Sequence, residues 1–198
     1  MYHSQSRQLQ DAFDTRRLAD RIAEKLAHAS FTDDDIAFIA RQPLFMLATT
    51  DAGSRPECSY KGGLPGFVRV LDAQTLAFPS YEGNGMFRSL GNLLANPQVG
   101  LLFIDFEQPR RLRLQGRASL RHDDPLLGAF TGAQCVVRVQ AEQIFPNCPR
   151  YIHRTQRLEL SAHVPRADHV PPLAAWKQFE TFRDVLPRGD PARRPDEQ

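Results

Sequence analysis

Cysteine is scarce in this chain of 198 residues, which contains only Cys58, Cys135 and Cys148. Three cysteines cannot all pair within one chain, and three is few for a disulfide scaffold. We therefore expect free thiols, as in a reducing compartment. Residues 1–14 are polar and lack the apolar stretch of a signal peptide. These features predict a cytoplasmic protein.

Excess charge of one sign is also absent, because 25 Lys and Arg residues against 23 Asp and Glu residues give a net charge of +2. No basic patch interleaved with aromatic residues stands out, so we expect no nucleic-acid partner. The longest apolar run, 99–104, is far too short to span a bilayer, and we expect no membrane partner. With 41% hydrophobic and 24% charged residues, the composition is that of an ordinary globular domain.

The motifs of several well-known sites are missing as well. No Gly-x-Gly-x-x-Gly follows a strand, and the sequence has no Walker loop and no Gly-x-Ser-x-Gly elbow. The six histidines are scattered, and none lies in a His-Glu-x-x-His or Cys-x-x-Cys spacing, so we expect no metal site. Spacing alone therefore indicates no catalytic constellation.

Strand patterns dominate the middle of the chain. Apolar or alternating segments bounded by turn residues, such as Gly53 in the turn 51–53, predict strands. The predicted strands are 44–50, 56–60, 67–71, 75–78, 98–106, 111–121 and 135–145. At least six strands with hairpin spacing and few helices between them favour an antiparallel barrel.

Helical periodicity is found mainly on the flanks. Leu18, Ile22 and Leu26 recur at four-residue spacing and predict a helix over 15–29. A second helix is predicted from Thr32, whose side chain can cap the first turn, to Pro43. Further helices are predicted at 86–95, near 126–130 and over 173–185, the last carrying Trp176, Phe179 and Phe182.

Five segments together resemble one family in their order along the chain. They are Ser-Tyr-Lys-Gly-Gly at 59–63, Ser-Tyr-Glu-Gly-Asn-Gly at 80–85, the strand 96–105, Arg-Arg-Leu-Arg-Leu-Gln-Gly at 110–116 and Pro-Asn-Cys-Pro-Arg-Tyr-Ile-His-Arg at 146–154. The chain resembles the pyridoxamine 5'-phosphate oxidase-like group of FMN-binding split barrels over roughly residues 8 to 155. The resemblance implies a mainly β (α+β) fold, a six-stranded antiparallel Greek-key split barrel with flanking helices.

The pattern and the resemblance together predict four regions. Residues 1–42 form N-terminal helices that pack on the barrel, and 43–160 form the FMN-binding barrel. Residues 161–186 form a C-terminal loop and helix. The polar, Pro- and Arg-rich stretch 187–198 is predicted to be a disordered tail.

An FMN site needs cationic or N–H donors for the phosphate and donors at the pyrimidine edge of the ring. The Gly-rich turn before the helix at Met86 can present free N–H groups to an anion. The true oxidases have an Arg-Lys pair at about the place of Asn84 and Gly85, so positive charge must come from elsewhere. The predicted cofactor-binding residues are Ser59, Tyr60, Lys61, Gly62, Arg69, Ser80, Tyr81, Asn84, Gly85, Met86, Arg88 and Arg111.

The resemblance assigns Arg111 to the ring edge and leaves a tyrosine at position 81 able to pack on the cofactor. Arg88 can equally be a solvated helix arginine, Arg111 can face solvent, and the tyrosines can serve only the core. His153 and Tyr151 are the candidate catalytic residues, because the segment 146–154 could reach a site of the neighbouring subunit. Cys148 beside Arg150 is a weaker redox candidate.

The resemblance implies a homodimeric FMN-binding oxidoreductase, with flavin at the subunit interface, acting on a small-molecule substrate or a nicotinamide. Oxidation of pyridoxamine phosphate is not expected, because the stretch after Arg157 does not match the substrate-binding arginines of the true oxidases. Two alternatives stay open: a deazaflavin-dependent reductase, and a non-catalytic flavin- or haem-binding protein with His153, His163 or His169 as axial ligand.

Overall fold

Seven antiparallel strands form one sheet in the computed structural model, which describes residues 1–193. The strands are β1 (Leu44–Thr50), β2 (Pro56–Gly62), β3 (Arg69–Val70), β4 (Thr75–Tyr81), β5 (Gln98–Asp105), β6 (Arg110–Arg121) and β7 (Ala133–Pro146). Their order in the sheet is β2-β1-β5-β6-β7-β4-β3. The predicted mainly β, antiparallel split-barrel class is confirmed.

The sheet has seven strands where the resemblance implied six, and the strand predicted at 67–71 is present as β3, which is only two residues long. Arg69 pairs with Ala77 and Val70 pairs with Leu76, so β3 extends the sheet beyond β4. Its ladder is short because the residues before it, 63–68, form a turn around Gly66, which has a φ of 87°. Only glycine adopts this left-handed conformation at little cost.

The helices are α1 (Ser4–Ala12), α2 (Arg16–Leu26), α3 (Asp33–Ala40), α4 (Arg88–Ala95) and α5 (Glu180–Arg183). The predicted cap of α3 is confirmed: Thr32 Oγ1 accepts from the Asp35 N–H, and Asp35 accepts from the Thr32 N–H. The helix predicted over 173–185 is interrupted. A 3₁₀ turn, Ala175–Gln178, precedes α5, and Phe179 between them is extended.

The N-terminal helices pair with each other through their side chains. Tyr2 Oη donates to the Ala19 carbonyl at 3.1 Å, and Arg7 pairs with Asp20 at 2.6 Å. The predicted apolar stripe of α2 (Leu18, Ile22 and Leu26) is exposed. Packing of these helices on the barrel therefore stays a prediction. None of the helices within residues 1–193 is long and apolar enough to cross a membrane.

Aromatic rings fill the centre of the barrel. Phe45 on β1 meets Phe78 on β4 edge-on, with ring centroids 4.9 Å apart, and meets Phe103 on β5 at 5.3 Å. The alternating residues of β6, such as Leu112 and Leu114, point into the same core. This core joins β4 to β1 through side chains, although the two strands are not neighbours in the hydrogen-bonded order.

The chain divides into two compact units, Met1–Arg157 and Leu158–Gln198. Within the second unit, Lys177 Nζ donates to Asp190 Oδ2 at 2.7 Å, and the two side chains are only 5% and 3% exposed. Trp176 packs edge-on against Phe182, with centroids 5.9 Å apart. The predicted disordered tail starts within this unit, at residue 187, and its last residues, 194–198, lie outside the described part of the chain.

A buried carboxylate near β7 predicts how stability depends on acid. Arg138 donates to both oxygens of Asp124, at 2.6 and 2.9 Å, and the Leu126 N–H donates to Oδ1. These bonds, the Arg138 contact first, lower the pKa of Asp124 to about 2. The contribution to stability is thus complete above the unfolded value of 3.8 and is lost as pH falls towards about 2.

We expect Asp124→Asn to be less stable than the wild type at pH 7 and to lose less stability between pH 4 and pH 2. Urea unfolding followed by circular dichroism at a series of pH values measures both. Parallel pH profiles for the two proteins would show that Asp124 does not titrate with a lowered pKa.

Candidate functional site

A cavity of about 340 Å³ lies between β2, the end of β4 and the start of α4. Both strand ends and the helix contribute polar side chains, and the turn 82–87 closes one side. The lining residues are Glu57, Ser59, Lys61, Ser80, Tyr81, Gly83, Asn84, Gly85, Met86, Phe87, Arg88, Ser89 and Leu90.

One face of β2 supplies three of these side chains. Glu57, Ser59 and Lys61 alternate along the strand and therefore share a face. Lys61 is half-buried, and its amine makes neither a hydrogen bond nor a salt bridge with any described residue. Burial lowers the pKa of Lys61, and the nearby Glu57 carboxylate opposes that shift. Within residues 1–193, the Lys61 cation in the cavity therefore has no counter-ion in direct contact.

The start of α4 faces the same cavity. Gly85 and Phe87 have left-handed backbones, with φ of 75° and 48°, and the Asn84 side chain accepts from the Met86 N–H at 3.1 Å. Phe87 occupies the N-cap position but has no polar side chain to accept from the first turn. The uncapped N–H groups and the helix dipole favour an anion at this end of the cavity.

Polar contacts fasten α4 to β1 and β2. Ser89 Oγ donates to Ser59 Oγ at 3.0 Å. Asn92 Nδ2 donates to Thr49 Oγ1 at 2.9 Å and to Glu57 Oε2 at 3.1 Å. These bonds fix the helix start against β2, so the two halves of the cavity are held in a defined geometry.

The end of β4 adds Ser80 and Tyr81 to the cavity wall. Burial raises the pKa of Tyr81, and the charge of nearby Arg69 opposes the shift. Arg69 itself is not part of the wall. Its guanidinium lies over the Phe130 ring at 4.4 Å and donates to the Ala129 carbonyl at 2.8 Å. The structure thus gives Arg69 partners away from the predicted phosphate position.

Tyr60 and Gly62 also lie outside the cavity wall. Tyr60 is 61% exposed, and its ring lies over Gly62. A Cβ at Gly62 would be 2.7 Å from Tyr60 Cε1, so this glycine makes room for the tyrosine ring. The close contact at Gly62, a predicted cofactor-binding residue, is therefore with a neighbouring side chain of the protein.

Arg111 lies near the start of β6, in register with Ile104 of β5, and does not line the cavity. Its Nε is buried without a hydrogen-bond partner in the described structure, and so is Oδ1 of Asn147. The Asn147 N–H donates to the Arg111 carbonyl at 3.4 Å, so these two residues are neighbours. An orphaned donor and an orphaned acceptor are costly to bury unless a further group binds them.

The candidate catalytic residues are on the surface of the first unit. Tyr151 is 86% exposed, with the Arg150 guanidinium 5.6 Å from its ring centre, and His153 is also exposed. The segment is tied to the β5–β6 turn, since Arg154 Nε donates to the Glu107 carbonyl at 3.1 Å. Neither candidate lines the cavity, and their catalytic role stays a prediction.

The residues of the wall that the sequence did not single out are Glu57, Gly83, Phe87, Ser89 and Leu90. Glu57 could have been found from the two-residue period of β2, which places it in line with Ser59 and Lys61. Ser89 could have been found from its place in the first turn of the helix after the Gly-rich segment. A second cavity, of about 360 Å³, lies near Arg41, Asp105 and Arg157.

Comparison with known families identifies the chain. The sequence model of one family, described as pyridoxamine 5'-phosphate oxidase, matches residues 31–162, well over half of the chain. The chain belongs to this family. The match includes the whole cavity wall as well as Arg111 and the segment with His153. No curated protein is similar enough in sequence to count as a relative.

Several solved structures are similar to this pyridoxamine 5'-phosphate oxidase family member. HupZ of Group A Streptococcus is 22% identical, with a TM-score of 0.48, covering 64% of this chain and 99% of its own. HutZ, the haem storage protein of Vibrio cholerae, is 24% identical, with a TM-score of 0.43 and coverages of 55% and 89%. An FMN-binding protein of Syntrophomonas wolfei is 11% identical, with a TM-score of 0.47 and coverages of 71% and 97%.

Proposed function

We propose that this protein binds FMN and acts as an oxidoreductase, moving hydride or electrons between the flavin and a small molecule or a nicotinamide. One observation carries the proposal. In a member of the pyridoxamine 5'-phosphate oxidase family, the Lys61 amine and the uncapped start of α4, neither of which has a partner among residues 1–193, line the same cavity.

The donor set of the cavity fits a phosphate dianion. Lys61 and Arg88 supply positive charge, Ser59 and Ser89 supply hydroxyls, and α4 supplies backbone N–H groups. Charge-assisted bonds to phosphate oxygens are the strongest that such groups can make. At about 340 Å³, the cavity is at the small end of ligand sites, which span roughly 300–1,000 Å³. It suits the phosphate and side chain of FMN, with the ring outside it.

Arg111 Nε and Asn147 Oδ1, which have no hydrogen-bond partner within residues 1–193, suit the flavin ring at the other end of the cofactor. The pyrimidine edge of a flavin has carbonyl acceptors beside an N–H donor, which complement Arg111 Nε and Asn147 Oδ1. Arg111 would also favour negative charge on the ring. Because neither residue lines the cavity, we propose a homodimer in which a second copy contributes them.

Bound flavin would supply the redox chemistry, and the protein would bind, orient and shield it. The chemistry then requires no side-chain acid or base in the cavity. Pyridoxamine phosphate is not the proposed substrate, because the stretch after Arg157 does not match the substrate-binding arginines of the true oxidases.

The test is an absorbance spectrum of the purified protein, with mass spectrometry of the cofactor released by heat. We expect flavin bands, released FMN, and a light-scattering mass of about twice the 22.4 kDa chain. A Soret band would instead support the haem-binding alternative, and a longer chromophore would support deazaflavin. A protein that stays colourless with added FMN would refute the proposal, and a flavin-loaded monomer would refute the dimer.

A further inference from the structure

Glu57 is an acidic residue in the wall of a cavity that otherwise suits an anion. Its side chain is 19% exposed, and it stands on β2 two residues from Ser59 and four from Lys61. A carboxylate repels a phosphate dianion at short range. A site for phosphate alone would therefore be better without Glu57, and its presence needs a reason in the rest of the ligand.

The two oxygens of Glu57 have different surroundings. Oε2 accepts from Asn92 Nδ2 at 3.1 Å and from Thr49 Oγ1 at 3.3 Å, so the carboxylate is held in one orientation. Oε1 lies 3.7 Å from Arg88 Nε and has no hydrogen bond within the described part of the chain. A fixed carboxylate oxygen thus keeps acceptor capacity beside the cavity.

We propose that Glu57 determines specificity by accepting hydrogen bonds from hydroxyl groups of a polyol chain attached to the bound phosphate. Carboxylates are strong acceptors for sugar hydroxyls, as in dinucleotide sites where an acidic residue binds ribose. Lys61, Ser59 and Glu57 follow one another on the same face of β2. A phosphate ester bound at Lys61 would therefore have its polyol chain beside Glu57.

This inference rests on the proposed function for the position of the phosphate, and it assigns recognition of the polyol part of the ligand to Glu57. The competing explanation is that Glu57 only anchors α4 through Asn92. Glu57→Gln separates the two, because the Gln carbonyl can still accept from Asn92 while the charge is lost.

The experiment is isothermal titration calorimetry of the full chain with ribitol 5-phosphate and with inorganic phosphate. We expect the wild type to prefer ribitol 5-phosphate, and Glu57→Gln to reduce that preference about tenfold or more. The reduction should have two parts, weaker polyol binding and tighter phosphate binding. Glu142→Gln, the same change at an exposed site on β7, is the control and should behave as the wild type.

An unchanged preference in Glu57→Gln, or an equal loss for both probes, would overturn the inference and leave Glu57 as an anchor. If the wild type binds neither probe, the inference is overturned as well.

If Glu57→Gln does not fold, Glu57→Asp replaces it. The charge stays but the carboxylate oxygen recedes from the cavity, so we expect loss of polyol binding alone. If the protein binds flavin but Glu57→Gln keeps the preference of the wild type for ribitol 5-phosphate, only this inference is refuted. A Glu57-dependent preference in a protein that binds no flavin would refute only the proposed function.

Discussion

Lys61→Ala is expected to weaken FMN binding by about 1.5–3 kcal/mol, roughly a 10- to 150-fold rise in the dissociation constant. The reason is that the amine is half-buried, has no partner in the described structure and shares its cavity with the start of α4. Quenching of flavin fluorescence on titration into the apoprotein measures the constant. Lys61→Arg should recover part of the loss, since it restores the charge.

The pH dependence of binding offers a second measurement on the same residue. Burial lowers the pKa of Lys61, so the amine loses its proton at a lower pH than an exposed lysine does. FMN affinity of the wild type should therefore fall as pH rises through that lowered value. Tyr81 lines the same cavity, and burial raises its pKa, so its phenol loses its proton at a higher pH than an exposed tyrosine does.

Lys25→Ala is the matched control, because Lys25 is exposed on α2 and pairs with Glu24. It should bind FMN as the wild type does at every pH. Equal affinities for Lys61→Ala and the wild type would remove Lys61 from the phosphate site, whatever the spectrum of the purified protein shows.

Lys177→Met is expected to destabilise the C-terminal unit by about 3–5 kcal/mol, because it leaves the Asp190 carboxylate buried without its cation. The two side chains are almost completely inaccessible and their atoms are 2.7 Å apart. Native-state hydrogen exchange, read by mass spectrometry, should show protection lost in peptides of 158–193 and kept in the barrel.

A double variant distinguishes the effect of losing the Lys177–Asp190 ion pair from the effect of losing the packing of these side chains. Lys177→Met with Asp190→Leu removes both charges, and an apolar pair of similar volume is often as stable as the buried ion pair. We therefore expect it to regain most of the protection. If the single variant exchanges like the wild type, the ion pair does not hold this unit together.

Much of the barrel could be predicted because strand periodicity is local. The alternation along β6, the apolar run of β5 and the Thr32 cap each depend on residues close in sequence. The polar helix α1 was not predicted, since its sequence has no apolar period. The β-bulge at Gly116 depends on a distant segment: a Cβ there would be 2.1 Å from the Gln140 carbonyl oxygen.

The candidate site was predicted in part for the same reason. Ser59 and Lys61 lie on one strand face, and Arg88 begins the helix opposite, so pattern and turn chemistry indicated them. Arg69 was assigned to the phosphate because of its charge, but its contact with Phe130 could not be read from sequence. In the proposed homodimer, Arg111 reaches the site from a second copy of the chain. The sequence pattern of one chain does not show how two copies pack.

The position of Trp176 gives the protein a built-in optical reporter. It is the single tryptophan of the sequence, and its ring packs on Phe182 beside the buried Lys177. Indole emission therefore comes from the C-terminal unit alone, while the tyrosines at positions 60 and 81 lie on barrel strands. Selective excitation of the indole would follow melting of one unit without contribution from the other.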